Sequence, residues 1–164
     1  MQIAIEPMVP DDWPQVRRIY LEGIATGNAT FTTDVPSWEE WDKNHLQQCR
    51  LAARDGEHVL GWAALSAVSS RCVYTGVAEV SIYIGSDARG KGVGKKLLSA
   101  LAGESERHHI WTLQAGVFPE NSASIAMHAA CGFRQVGRRE KLGKMQEVWR
   151  DILLLERRSK IAGC

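Results

Sequence analysis

Polar and apolar residues alternate over residues 2–6, the two-residue period of a half-buried strand, until Pro7 and Pro10 end the run. Asp11 and Asp12 then offer caps to a helix along which Val16, Ile19, Tyr20 and Ile24 recur at helical spacing, with Gly27 as its stop. Residues 28–36 are polar and β-branched, and Ser37-Trp38-Glu39-Glu40 has the S-x-x-E spacing of a capping box, so a second helix is expected over 37–49. Residues 50–54 and 58–67 form two apolar strands around Asp55-Gly56, a hairpin signal because glycine accepts the positive φ of a tight turn. The apolar pattern breaks at 69–76 and resumes in the β-rich run VAEVSIYI at 77–84, a central strand. Val93, Leu97, Leu98 and Leu101 mark a helix over 92–107, followed by a strand at 110–118 and a short helix over 122–130 that Gly132 stops. Two last strands, 133–139 and 147–155, are joined by a turn containing Lys and Gly, and 157–164 is expected to fray. The order β-α-α-β-β-β-α-β-α-β-β predicts an α+β single domain over 1–156, a mixed sheet with helices packed on its faces.

Composition narrows the classes. At 164 residues, 45% hydrophobic and 24% charged, the chain suits one domain with a sizeable core. Twenty Lys and Arg against 19 Asp and Glu leave +1, no field to gather nucleic acid or an anionic membrane. The apolar run 152–155 falls far short of the roughly 20 residues that span a bilayer. The opening MQIAIEPMVPDDW has acids where a signal peptide carries bases, so a cytoplasmic location is expected. Cys49, Cys72, Cys131 and Cys164 lie far apart without metal-ligand spacing, and His108 and His109 diverge on a helix end, so free thiols and no metal are expected.

The most informative stretch is Arg89-Gly90-Lys91-Gly92-Val93-Gly94, after a strand and at the opening of an amphipathic helix. Glycines let a ligand approach the backbone, and unpaired N–H groups at a helix start attract an anion, with Lys95 and Lys96 nearby. The spacing G-x-G-x-G is neither the dinucleotide fingerprint nor a phosphate-binding P-loop. A pyrophosphate cradle and a plain strand-to-helix joint are the two readings. Glu79 is the second anomaly, a carboxylate in mid-strand among apolar residues, where it needs partners or a task.

Here the chain resembles the Gcn5-related N-acetyltransferases (GNAT), whose acetyl-CoA site carries R/Q-x-x-G-x-G/A; Arg89, Gly92 and Gly94 fill the fixed positions. The element order is that family's, and Glu120-Asn121-Ser122-Ala123-Ser124 with Cys131-Gly132-Phe133 is similar to its second CoA segment. Within it, Ala29-Thr30-Phe31, residues 36–41, Ser70-Arg71-Cys72-Val73-Tyr74, residues 78–84 and Val148-Trp149-Arg150-Asp151 resemble the phosphinothricin N-acetyltransferases and their arsinothricin-resistance branch.

The resemblance implies the GNAT fold with a mostly antiparallel sheet, acetyl-CoA as cosubstrate, and direct acetyl transfer to the α-amine of a small amino-acid-like antimetabolite. Glu79 then takes the position of the catalytic base. Main-chain N–H groups of Ser81, Ile82, Tyr83 and Ile84 receive the developing oxyanion if a bulge frees them, and Arg89, Gly90, Lys91, Gly92, Val93, Gly94 and Lys95 cradle the pyrophosphate. Asn121 and Ser124 go to pantetheine or phosphate, or cap the helix. His128 stands where many relatives have a tyrosine: a proton donor to sulfur, a hydrogen-bonding group near CoA, or a structural histidine. Phe31, Arg71 and Tyr74 are the substrate candidates, Arg71 for an anionic group, although a solvated loop cation and a core tyrosine are the bland readings. A homodimer through the C-terminal strands follows from the resemblance alone. Acetylation of methionine sulfone or sulfoximine, of other amino acids, or of protein N-termini or lysines fits the same cofactor site, and a CoA-binding sensor without turnover is the non-enzymatic alternative.

Overall fold

Seven strands form one sheet in the order β1-β2-β3-β4-β5-β7-β6. They are β1 (Ala4–Pro7), β2 (Leu51–Asp55), β3 (His58–Ala67), β4 (Val77–Ile84), β5 (Thr112–Val117), β6 (Arg134–Met145) and β7 (Val148–Arg158), in a computed structural model that describes residues 1–164. Every neighbouring pair is antiparallel except β4 with β5. The expected α+β mixed sheet is therefore present, and no helix is long and apolar enough to cross a membrane.

Strand alternation sorts the core onto two faces. Ala63 and Leu65 of β3 pack with Leu97, Leu98 and Leu101 of α3 (Val93–Arg107), and α4 (Ser122–Ala130) adds Ile125 and Met127 beside them. Trp62 and Ala64 pack on the other face with Val16 and Ile19 of α1 (Trp13–Ala25) and Trp41 of α2 (Trp38–Asn44). A bulge adjusts this register: Ala53 opposes Gly61 but Arg54 opposes Val59, so Leu60 has no partner on β2 and Val59 joins Trp62 on the α1 face.

Several expectations change. Ser37 does cap α2, accepting the Glu40 N–H at 3.2 Å, but the helix ends at Asn44 and not near Cys49. Arg50 is the reason: its guanidinium donates to the carbonyls of Asp42, His45 and Leu46 at 2.9, 3.2 and 2.6 Å, satisfying the helix end and turning the chain into β2. Asp12 makes no side-chain cap on α1; its carboxylate accepts the Val9 N–H at 2.9 Å and pairs with Arg54. β6 continues through the expected Lys- and Gly-containing turn to Met145, and the actual turn is Gln146-Glu147, both at positive φ. Residues 157–164 are not frayed: β7 runs to Arg158, whose guanidinium donates to the carbonyls of Ser159, Ala162 and Gly163, and Ser159 and Ala162 are buried.

Candidate active site

The site follows from where β4 and β5 part. Their parallel pairing covers only Val77 with Thr112, Ala78 with Leu113 and Glu79 with Gln114; beyond it β4 stays with β3 and β5 with β7. Glu79 thus sits at the head of a wedge. No bulge frees β4, as its register against β3 is unbroken from Ala78 to Ile84. The divergence does that work instead. Gly85 donates to Leu60 and Gly76 accepts from Trp111 and Thr112, so alternation turns the N–H groups of Ile82 and Ile84 toward the open β5 side.

Two cavities open from the wedge. The first, about 380 Å³, is lined by Glu79, Ser81, Gln114, Ser124, His128 and Phe31 among others. The second, about 680 Å³, runs over the start of α3 and takes in Ile84, Arg89, Gly90, Gly92, Val93, Gly94 and Lys95. Ile82, Tyr83, Asn28, Asn121 and Ser124 line both, making one continuous channel. Gly92 caps α3 at φ 80° with no side-chain cap bond, so the first N–H groups of the helix are left to face this cavity. Gly94 allows α3 to approach α4, since a Cβ there would lie 2.5 Å from Met127 Sδ.

Tyr83 stacks between Tyr20 and Trp62, at 4.8 and 5.0 Å, and burial holds its phenol protonated far above the ordinary range. Asn121 spends its amide on the protein: Oδ1 accepts the Ser124 N–H at 3.2 Å and Nδ2 donates to the Asn28 carbonyl at 3.1 Å. The latter bond, with Arg150 donating to the Gly27 carbonyl and to Asn28 Oδ1 at 3.0 and 2.9 Å, ties the segment before Phe31 over the channel. Arg150 also lies 4.1 Å from the Phe118 ring, whose edge meets Phe31.

His128 is 2% exposed. Its Nδ1 lies 2.7 Å from the Ser124 carbonyl, which only accepts, so Nδ1 carries the hydrogen and Nε2 is left as a buried acceptor without a partner. Burial, only partly offset by that bond, lowers its pKa. The ring is neutral at pH 7, and this tautomer has no proton on Nε2 to give to sulfur. His45 is lowered likewise, chiefly by burial. Both histidines take up protons more readily unfolded than folded, so stability is expected to fall as pH drops below about 6.5. The lowered Asp42, Asp87 and Asp151 titrate below the ordinary carboxylate range and add nothing to that window. A urea midpoint that decreases between about pH 7.5 and pH 5.5 checks this; a flat midpoint contradicts it.

Of the predicted site residues, the structure leaves three aside. Lys91 lines neither cavity, and Arg71 and Tyr74 form an exposed cation-π pair, 5.6 Å apart, on the loop before β4. The structure also brings Gln114 and Arg139 to the first cavity and Arg150 against the segment beside it, none of them singled out by the sequence. Arg150 lies in the Val148-Trp149-Arg150-Asp151 segment, which gives no local sign of what it touches; Gln114 and Arg139 acquire meaning only from strand pairing.

The acetyltransferase (GNAT) family model matches residues 11–133. The chain belongs to this family. It is 34% identical over 158 residues to the phosphinothricin N-acetyltransferase of Alcaligenes faecalis, covering 90% of this chain and 78% of that protein. It is 26% identical over 162 residues to the L-methionine sulfoximine/L-methionine sulfone acetyltransferase of Pseudomonas aeruginosa, covering 95% and 94%. Among solved structures, the GNAT superfamily phosphinothricin acetyltransferase of Sinorhizobium meliloti, in complex with AcCoA, superposes with TM-score 0.88 at 29% identity, over 99% of this chain and 91% of that one. The expected GNAT fold is thereby established.

Proposed function

We propose that this cytoplasmic protein transfers acetyl from acetyl-CoA directly to the α-amine of a small amino-acid-like antimetabolite of the phosphinothricin or arsinothricin type. The observation that carries this reading is Glu79, half-buried and unpaired at the head of a wedge that opens on one side to a cavity of amino-acid size and on the other to the start of α3. The pyrophosphate of CoA rests against the N–H groups that follow Gly92, with Arg89 and Lys95 alongside, and the acetyl end enters between β4 and β5. The S. meliloti relative with bound AcCoA supports acetyl-CoA as the cosubstrate.

Glu79 takes a proton from the substrate ammonium, and the freed nitrogen attacks the thioester carbon. The N–H groups of Ile82 and Ile84 receive the charge that develops on the carbonyl oxygen. The C–S bond then breaks, and CoA leaves as the thiolate, to be protonated afterwards. His128 acts through Nε2 as an acceptor, taking the second proton of the nitrogen as the adduct collapses, so that the amide leaves neutral. No acetylated side chain is needed, since attack within a ternary complex uses the wedge to align both reactants. A homodimer through the C-terminal hairpin completes the reading, supported by Val148 and Trp149, 58% and 55% exposed on a single chain.

Saturable CoA release is expected with acetyl-CoA and phosphinothricin, arsinothricin or methionine sulfoximine, at a KM well below that for methionine. Release with a short peptide alone would make the protein a peptide acetyltransferase, and acetyl-CoA binding without release on any of these amines would leave a CoA-binding protein.

A further inference from the structure

The first cavity holds one side chain of each sign. Glu79 is its carboxylate and Arg139 its only Lys or Arg, with His128 neutral. Arg139 enters none of the chain's ion pairs, although its neighbour Arg138 does. We propose that Arg139 is the residue that selects an anionic group on the amino-acid substrate, and that a bulge in β6 held by Asp151 positions it.

Strand pairing decides which of the two adjacent arginines serves. Arg139 opposes Ile152, and Ile152 and Leu154 line the cavity; Arg138 opposes Leu153, which belongs to the core on the other face. Directly after Arg139 the register jumps: Arg139 pairs with Ile152 but Gly143 with Arg150, so residues 140–142 stand against Asp151 alone. The carboxylate of Asp151 closes this bulge. It accepts the main-chain N–H of Lys141 and the Nε–H of Arg138, both at 2.7 Å, and Lys141 adopts φ 46°. These two donors, the Lys141 N–H first, also keep its carboxyl below the usual range. The result is that Leu142 reaches the same cavity as Arg139. Arg138 and Asp151 hold the bulge from one face while Arg139 is presented on the other.

One cation opposite one base suits a zwitterion. An ammonium delivered to Glu79 comes attached to a carboxylate, and in phosphinothricin to a phosphinate as well; a guanidinium fork binds either oxyanion through two hydrogen bonds. A neutral amine has no use for it. This inference rests on the proposed amino-acid acetyltransferase activity.

The test compares wild type with Arg139→Met, Arg139→Lys and Asp151→Asn, using methionine sulfoximine, whose only anion is its carboxylate, and phosphinothricin, which has two. Arg139 is exposed and unpaired, so its variants should fold, and melting temperature verifies this. Arg139→Met is expected to raise the amino-acid KM about 10- to 100-fold, with kcat and the KM for acetyl-CoA unchanged. Arg139→Lys keeps the charge without the fork and should recover part of the loss. A rise with both substrates supports the proposal and assigns the α-carboxylate; a rise with phosphinothricin alone supports it and assigns the phosphinate. Unchanged KM for both overturns the role of Arg139 while leaving the acetyltransferase reading intact. A wild-type protein that acetylates neither overturns both. Asp151→Asn should give the same KM-against-kcat split at smaller size; an unchanged KM there removes the bulge from the account.

Discussion

Replacing Glu79 by Gln is expected to lower kcat for amine acetylation by about 10²- to 10⁴-fold, the usual contribution of a positioned base, while acetyl-CoA affinity stays the same. The separation follows from the layout. Glu79 lines only the first cavity, whereas Arg89, Gly92, Gly94 and Lys95 line only the second. Glutamine keeps the shape of the side chain, and Glu79 holds no ion pair whose loss would disturb the sheet, so the fold should be retained. The deficit should depend on pH in one direction. A substrate ammonium needs the base only while it is protonated; as pH rises toward the amine's own pKa, free amine accumulates and the variant should recover relative to wild type. CoA release followed across that range, with acetyl-CoA binding measured in parallel, separates the outcomes. Equal turnover at every pH would remove Glu79 as the base, and a parallel loss of acetyl-CoA binding would make its role structural.

Glu79 and the glycine-rich loop were legible in the sequence because each breaks a local rule: a carboxylate in an apolar strand, and glycines where a helix should begin. Such anomalies carry their own signal. What was hidden depends on pairings distant along the chain. The wedge exists because β4 keeps β3 while β5 turns to β7, a choice absent from VAEVSIYI itself. The free N–H groups were therefore expected from a bulge in β4 that is not there. Residues 140–144 read from the sequence as part of a turn, and only the opposition of 140–142 to Asp151 makes the bulge that brings Leu142 beside Arg139. The early end of α2 has the same cause, since Arg50 reaches back across the turn to its last carbonyls. Arg71 is the converse case, a loop residue picked by resemblance that stays outside both cavities of the single chain. The family and its glycine-rich loop could be read locally; the wall of the first cavity that carries Arg139 had to wait for the register.

Trp62→Ala should be the most damaging single change to stability, about 3–5 kcal/mol against a total of about 5–15 for a domain of this kind. Trp62 is fully buried at the middle of β3 and meets Tyr20, Trp41, His45 and Tyr83 with ring centroids 5.0 to 6.4 Å away, so no neighbour can fill the space it leaves. Trp62→Phe should cost much less. It keeps most of the ring volume and also removes an indole N–H that is buried without an acceptor, a group that itself opposes folding. Urea denaturation of the two variants tests this: a loss for Trp62→Ala below about 1 kcal/mol would mean that the aromatic layer relaxes around the void. The layer also reaches the site. Tyr83 stacks on Trp62 and lines both cavities, so Trp62→Ala protein that remains folded should show a raised KM for the amine and for acetyl-CoA together. That joint rise would distinguish it from Glu79→Gln, which is expected to alter kcat alone, because the stack on β3 shapes the channel while the role proposed for Glu79 concerns only the proton within it.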